Sequence, residues 1–339
     1  MRRLRRNFRK NRNKIILTTA FALVFCLCVG YAAFQTTINF NIKGNIKKKL
    51  LTPRDLTKNV VTTGDGLYAD TTEDGRYIYR GANPNNYIKL GSDMYRIIAV
   101  ESDNTLKVIK NGSIGSKYFD ERNARYSTNS SDYCTSTSGC KVWGSKTTML
   151  DTNGNNVTQM PREVGGTLYN LPDKEATLNT YLNNDWYNSL SSNVQNIVVS
   201  HMFNVGVTKY DETNLSNTIS QEATYKWKGK LGLMNPSDYV KASTNSACDS
   251  VKAYNSNRSC YNNSATHNWV FAGPATKSAL WTIAPCSGSG ASNVFHVGSS
   301  GKSTDGSAFG STGAVPVLYL SSDISFSGGG TSDSPYTVE

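Results

Sequence analysis

Residues 77–110 read YIYRGANPNNYIKLGSDMYRIIAVESDNTLKVIK. The runs YIYR, NYIKL, MYRIIAV and LKVIK are rich in β-branched and aromatic residues, and Gly, Asp and Asn turn formers separate them. That punctuation predicts a meander of antiparallel strands, with the folded domain starting at 76. Downstream the period changes. Leu178, Tyr181, Leu182, Trp186, Tyr187 and Leu190 recur at helical spacing, which predicts an amphipathic helix over 174–190 capped by Asp173 and a second short helix over 193–200. A Trp and Tyr stripe at this spacing belongs to a core. After it, LGLM, NWVF, ALWTIAP, NVFHVG and AVPVLYL are short apolar runs divided by Gly- and Ser-rich loops, read as a second sheet within the same domain. Residues 111–170 are polar and irregular, and connections of that length often carry function. The fold class expected is α+β: antiparallel strands, one or two helices and long loops.

The chain has 339 residues, 38% hydrophobic and 18% charged, below the roughly 45–50% and 25% of ordinary globular domains. Asn, Ser, Thr and Gly fill the deficit. This composition excludes a coiled coil and a polytopic membrane protein. The net charge is +11, but residues 1–14 hold eight Lys or Arg, and Lys43, Lys47, Lys48 and Lys49 supply four more. Residues 51–339 therefore stand near −1. Without a cationic field there is nothing to grip phosphates, so nucleic acid is excluded as a partner.

Residues 15–34, IILTTAFALVFCLCVGYAAF, run for twenty positions without a charge. A helix of that length crosses a hydrocarbon core of about 30 Å, and the basic block before it stays in the cytoplasm. Gly30, Ala32 and Ala33 also fit a signal-peptidase site. The sequence thus predicts a cytoplasmic segment at 1–14, a transmembrane or signal helix at 15–34, an extended spacer at 35–75 and an extracellular α+β domain at 76–339. The protein is expected in the cell membrane with that domain outside, or secreted or wall-associated after cleavage.

An exported location permits disulfides. Cys134 and Cys140 close a polar loop, Cys248 and Cys260 flank another, and both pairs are expected to be bridged, with Cys286 left over. The three histidines are scattered and there is no CxxC or HExxH, so no metal and no cofactor is assigned. Asp305 and Asp323 are isolated carboxylates without the clustering a calcium site uses.

Two resemblances add to this reading. GYAAFQTTINFNIKGNI at 30–46 resembles the start of Gram-positive surface proteins of the camelysin and TasA type, in which a hydrophobic signal runs into an extended segment; this implies export and cleavage. NYIKLGSDMYRIIAV, LNTYLNNDWYNSL, LGLMNPSDYV, NWVF, LWTIAP and VPVLYLSSDISFSGGGTSDSPYTV together resemble a domain of surface proteins from gut Firmicutes, over most of 77–339. That family usually carries an Arg before the Pro of its closing strand, whereas here Ala314 and Val315 precede Pro316. The closing strand is also similar to the core of C-type-lectin-like and formylglycine-generating-enzyme-like folds. The resemblance implies a C-type-lectin-like mixed fold, with a β-sandwich or another α+β fold as alternatives. The catalytic cysteines of formylglycine-generating enzymes have no counterpart, since Cys286 stands alone in TIAPCSGSG.

The function expected is non-enzymatic binding or adhesion at the cell surface. Trp269, Trp281 and Phe295 are candidates for exposed rings that stack on sugars, although filling the core beside its strand is the stronger reading for each tryptophan; Trp269, Trp281 and His296 are the candidate ligand-binding residues. Cell-wall or host glycans or surface proteins are the partners. One alternative is a fibre subunit using 35–46 for strand addition. The other is a wall-active enzyme, with a carboxylate pair or with Cys286 beside His296 or His267.

Overall fold

The apolar run at 94–100 forms part of an eight-residue strand whose last six residues, Tyr95 to Val100, are all buried. With both faces covered, such a strand reads as a continuous hydrophobic run and not as an alternation. In this computed structural model, residues 16, 18–25, 49–248, 260, 264–275, 279–288 and 290–339 are described. The quoted stretch forms four strands, preceded by a fifth: β1 (Gly66–Ala69), β2 (Tyr77–Arg80), β3 (Tyr87–Leu90), β4 (Asp93–Val100) and β5 (Leu106–Lys110). They are not a simple meander. β3 pairs with 93–96 of β4, β2 pairs with 99–100 of the same strand, and β5 lies on the other side of β4 with a bulge between Ile97 and Ala99. Because β4 is twice the length of β2 or β3, one strand serves both as partner.

The fold is α+β and mostly antiparallel. The first sheet continues from β5 to Val317–Leu320 and from β3, in parallel, to Tyr336–Val338 and then Phe326–Ser327. A second sheet is built on Leu280–Ser287, Asn293–Val297 and Ser303–Ser307. A small third sheet joins His201–Asn204, Lys226–Gly229 and Met149–Leu150.

Three expectations need correction. Residues 49–75 are not spacer: the chain divides into two compact units, Met1–Lys48 and Lys49–Glu339. β1 pairs with β2, and Leu51 bridges Phe326 at the sheet edge. The main helix starts at Thr177, not 174, and runs through a π-helical stretch, Leu182–Trp186, to Ser189. Asp173 does not cap it, since its carboxylate pairs with Lys146 at 2.5 Å. The second helix, Ser192–Ile197, gives way to a strand at Val198–Val199. Of the predicted membrane segment, residues 16 and 18–25 are helical; the rest, with the spacer at 35–48, lies outside the described residues. Among the described residues no helix is long and apolar enough to cross a membrane.

Aromatic side chains join these layers. Ring neighbours run from His296 to Trp281 (5.6 Å between centroids), Phe119 (6.0 Å), Trp143 (5.4 Å), Trp227 (6.1 Å), Phe203 (5.7 Å), Tyr319 (5.1 Å) and His201 (3.9 Å). A buried ionic cluster ties the first sheet to the helix Pro236–Lys241. The Arg76 guanidinium donates to Asp70 (2.8 Å), Glu101 (2.9 Å) and Asp238 (2.7 Å). Lys107 donates to Asp238 at 2.6 Å and Lys241 to Asp70 at 2.8 Å. Burial alone would raise the Asp238 carboxyl; Lys107 and Arg76 overcome it and hold the group well below the usual carboxylate range. With each of these charges matched by another, the cluster acts as a clamp and not as a docking point.

Candidate functional site

Residues 111–134, polar and poor in regular structure, and 170–185, which run into the helix from Thr177, wall three adjoining hollows that form a trough. The first, about 750 Å³, is lined by Tyr126, Asp132, Cys134, Lys146 and Asn170. The second, about 740 Å³, is lined by Thr148, Glu175, Thr180 and Asp185. Arg125 and Lys174 stand between these two. The third, about 340 Å³, is lined by Lys117, Tyr118 and Ser311, and it shares Glu121, Thr177 and Tyr181 with the second.

Asp120 anchors this surface. Its fully buried carboxylate accepts from Arg125 Nε (3.1 Å), from the Cys140 backbone N–H (2.8 Å) and from the Thr177 backbone N–H (3.1 Å). One side chain thereby fixes the 116–126 loop, the disulfide loop and the helix start. Burial pushes the Arg125 guanidinium down and Asp120 partly restores it. Arg125 also donates to the carbonyls of Cys140 (2.9 Å) and Val142 (2.8 Å), so it is a structural post in the trough floor. The disulfides Cys134–Cys140 and Cys248–Cys260 are formed as expected, and Cys286 is outside both and buried.

Two tyrosines offer exposed rings at the trough: Tyr118 is 41% exposed and Tyr126 42%. Tyr118 lies flat on Phe309 (4.5 Å between centroids, 17° between planes), and the Arg122 guanidinium sits 4.6 Å from the Phe309 ring. Backed in this way, the ring is preorganised. Tyr181 has Lys117 Nζ over its face at 4.0 Å. Glu175 accepts from Thr148 Oγ1 (2.6 Å), Asn179 Nδ2 (2.8 Å) and Trp227 Nε1 (3.4 Å). Burial nonetheless raises its pKa above the ordinary glutamate value, with Thr148 and Trp227 opposing.

The three aromatics named as candidates for exposure are interior, and both tryptophans take the core reading. Trp269 is 0% exposed, Trp281 1% and Phe295 0%. The Trp269 indole donates to the Tyr79 carbonyl and the Trp281 indole to the Lys117 carbonyl, each at 2.8 Å. Neither presents a face to a ligand. His296 is half-buried, directly across the ladder from Trp281, with Nδ1 unbonded and its pKa lowered by burial against the opposing charge of Asp305. Trp269 instead packs on Arg96, so the three candidates do not form one site. The cysteine enzyme alternative gains no geometry: Cys286 is buried, His296 lies opposite Trp281, and His267 bonds Ser243 Oγ at 2.8 Å. Among the described residues no three His, Cys, Asp or Glu side chains are grouped to hold a metal ion.

A further hollow of about 590 Å³ is lined by Asp70, Arg80, Asn214, Lys241 and Cys248. The sequence signal for the trough was the long irregular connection at 111–170, and the signal for its rings was missed because tyrosine is the commonest aromatic in the chain, 19 residues against 5 Trp. No protein-family model, curated protein or solved structure matches the chain.

Proposed function

We propose that this is an exported surface protein whose domain binds a sugar-rich polymer along the trough, without catalysis. The observation that carries the reading is the preorganised Tyr118 ring at the trough, with Tyr126 at its other end. Aromatic faces stack on the apolar faces of sugar rings, and amides and hydroxyls such as those of Asn170, Thr148 and Thr180 bond sugar hydroxyls. An open row of hollows suits a polymer better than one small molecule. The export reading is supported by the uncharged run at 15–34 behind its basic block, by the camelysin and TasA resemblance, and by the two disulfides. The resemblance to the Firmicutes surface domain, and the C-type-lectin-like architecture it implies, accord with mixed α+β layers that close through Val317–Leu320 and Tyr336–Val338.

Binding is tested by titrating the protein with soluble wall and host glycans. Tyr118→Ala and Tyr126→Ala are each expected to weaken binding about tenfold with little change in melting temperature, because both rings are exposed. Unchanged affinity in both variants would move the site elsewhere. The fibre-subunit reading draws on the Leu51–Phe326 bridge, which starts the described domain on a sheet edge. It predicts concentration-dependent assembly in place of glycan binding.

A further inference from the structure

The charges facing the middle hollow are unequal. Of its lining cations, Arg125 is buried and held by Asp120 at 3.1 Å, which removes it from a ligand's reach, and the lining carboxylate Asp173 is paired at the surface with Lys146 of the first hollow. Facing the hollow there remain Glu121, Glu175 and Asp185 against Lys174. The Glu121 backbone N–H donates to Thr177 Oγ1 at 3.0 Å, which fixes the main chain there. Glu121 also lines the Tyr118 hollow, so a ring stacked on Tyr118 would carry its substituents past a carboxylate. Lys117, the cation of that hollow, is engaged over the Tyr181 ring.

We propose that the trough selects a polysaccharide bearing free amino groups over its N-acylated counterpart. The proposal deepens the polymer-binding reading and rests on it. A sugar ammonium donates up to three charge-assisted hydrogen bonds to carboxylates, roughly twice as strong as neutral ones, whereas an acetamide carries no charge. Attraction by overall charge does not account for such a preference, because residues 51–339 are close to neutral. Selection is local, made by carboxylates beside aromatic platforms. Glu175, biased by burial toward its neutral form, gains a counter-ion when an ammonium enters.

The test titrates the full-length chain in nonionic detergent with chitin-type oligosaccharides of one length, N-acetylated and deacetylated, at moderate salt and a pH near 6. The deacetylated oligomer is expected to bind about tenfold more tightly. Glu121→Gln with Asp185→Asn, both at exposed positions, should bring the two affinities within about twofold, and Lys174→Gln should widen the gap. Equal affinity for the two oligomers overturns the amine preference and leaves polymer binding standing. A preference that survives the double variant overturns it as well, since the amine is then met elsewhere. Absence of binding by either oligomer overturns both readings.

Discussion

At the scale of single residues, two buried groups show how differently this protein treats charge. Arg96 is 2% exposed and donates to neutral groups, the side-chain oxygen of Asn86 (2.5 Å) and the Pro84 carbonyl (3.3 Å), while its guanidinium lies 3.7 Å from the centre of the Tyr87 ring. Burial lowers its pKa to about 10, and it still stays charged. Glu222 goes the other way. It accepts from the Ser237 backbone N–H at 3.0 Å and pairs closely with the Ser237 hydroxyl. Burial, with Ser237 opposing and the Asp238 charge reinforcing, pushes its pKa from 4.5 to about 8. Between those values the native state binds one more proton than the unfolded chain, so stability falls as pH rises from about 4.5 to about 8 and does not recover above. The cost is on the order of a few kcal/mol. Glu222→Gln removes it, so urea denaturation from pH 4.5 to 9 is expected to show the variant gaining on the wild type across that window. A constant difference would clear Glu222 of the effect. Neither group was legible in the sequence, because burial depends on partners more than 10 residues away, such as Ser237 for Glu222.

At the scale of elements, the sequence located strands and helices well and their ends less well. The runs at 77–80, 87–90, 93–100 and 106–110 are strands because β-branched and aromatic side chains fit a covered sheet. The helix was overextended at its start because Asp173, a good cap by type, is held by Lys146. Its π-helical stretch follows from a tertiary contact: Asn183 donates to the Leu231 carbonyl (2.9 Å) and accepts from the Leu231 N–H (3.0 Å), as a strand neighbour would. The disulfide loop was legible because a six-residue separation can close locally. What it supports was not: Cys140 gives its N–H to Asp120 and its carbonyl to Arg125, the post of the trough floor. Cys134→Ser with Cys140→Ser is expected to cost about 2 kcal/mol of stability, read by denaturation, and to weaken polymer binding at the same time. Lost stability with full affinity would separate the disulfide from the trough.

At the scale of the whole molecule, the boundary read from the sequence fell 27 residues late, at 76 where the unit begins at Lys49. Residues 49–75 looked like spacer because they carry few apolar side chains, yet they supply β1 and, with Asp70 and Glu73, two carboxylates for Arg76 and Lys241. A chain starting at 76 leaves two buried cations, Arg76 and Lys241, short of partners and is expected to lose cooperative melting, while one starting at 49 keeps it. Equal melting of the two would show the segment to be dispensable. The trough was visible in the sequence only as irregularity, since rings and carboxylates from 117 to 185 meet there through folding alone. The aromatic series from His296 to His201 has a consequence of another kind. Two of its indoles, Trp143 and Trp227, are neighbours, well inside the range over which excitation passes between like rings. Trp143 and Trp227, 6.1 Å apart, therefore exchange excitation, which depolarises their emission in the native protein.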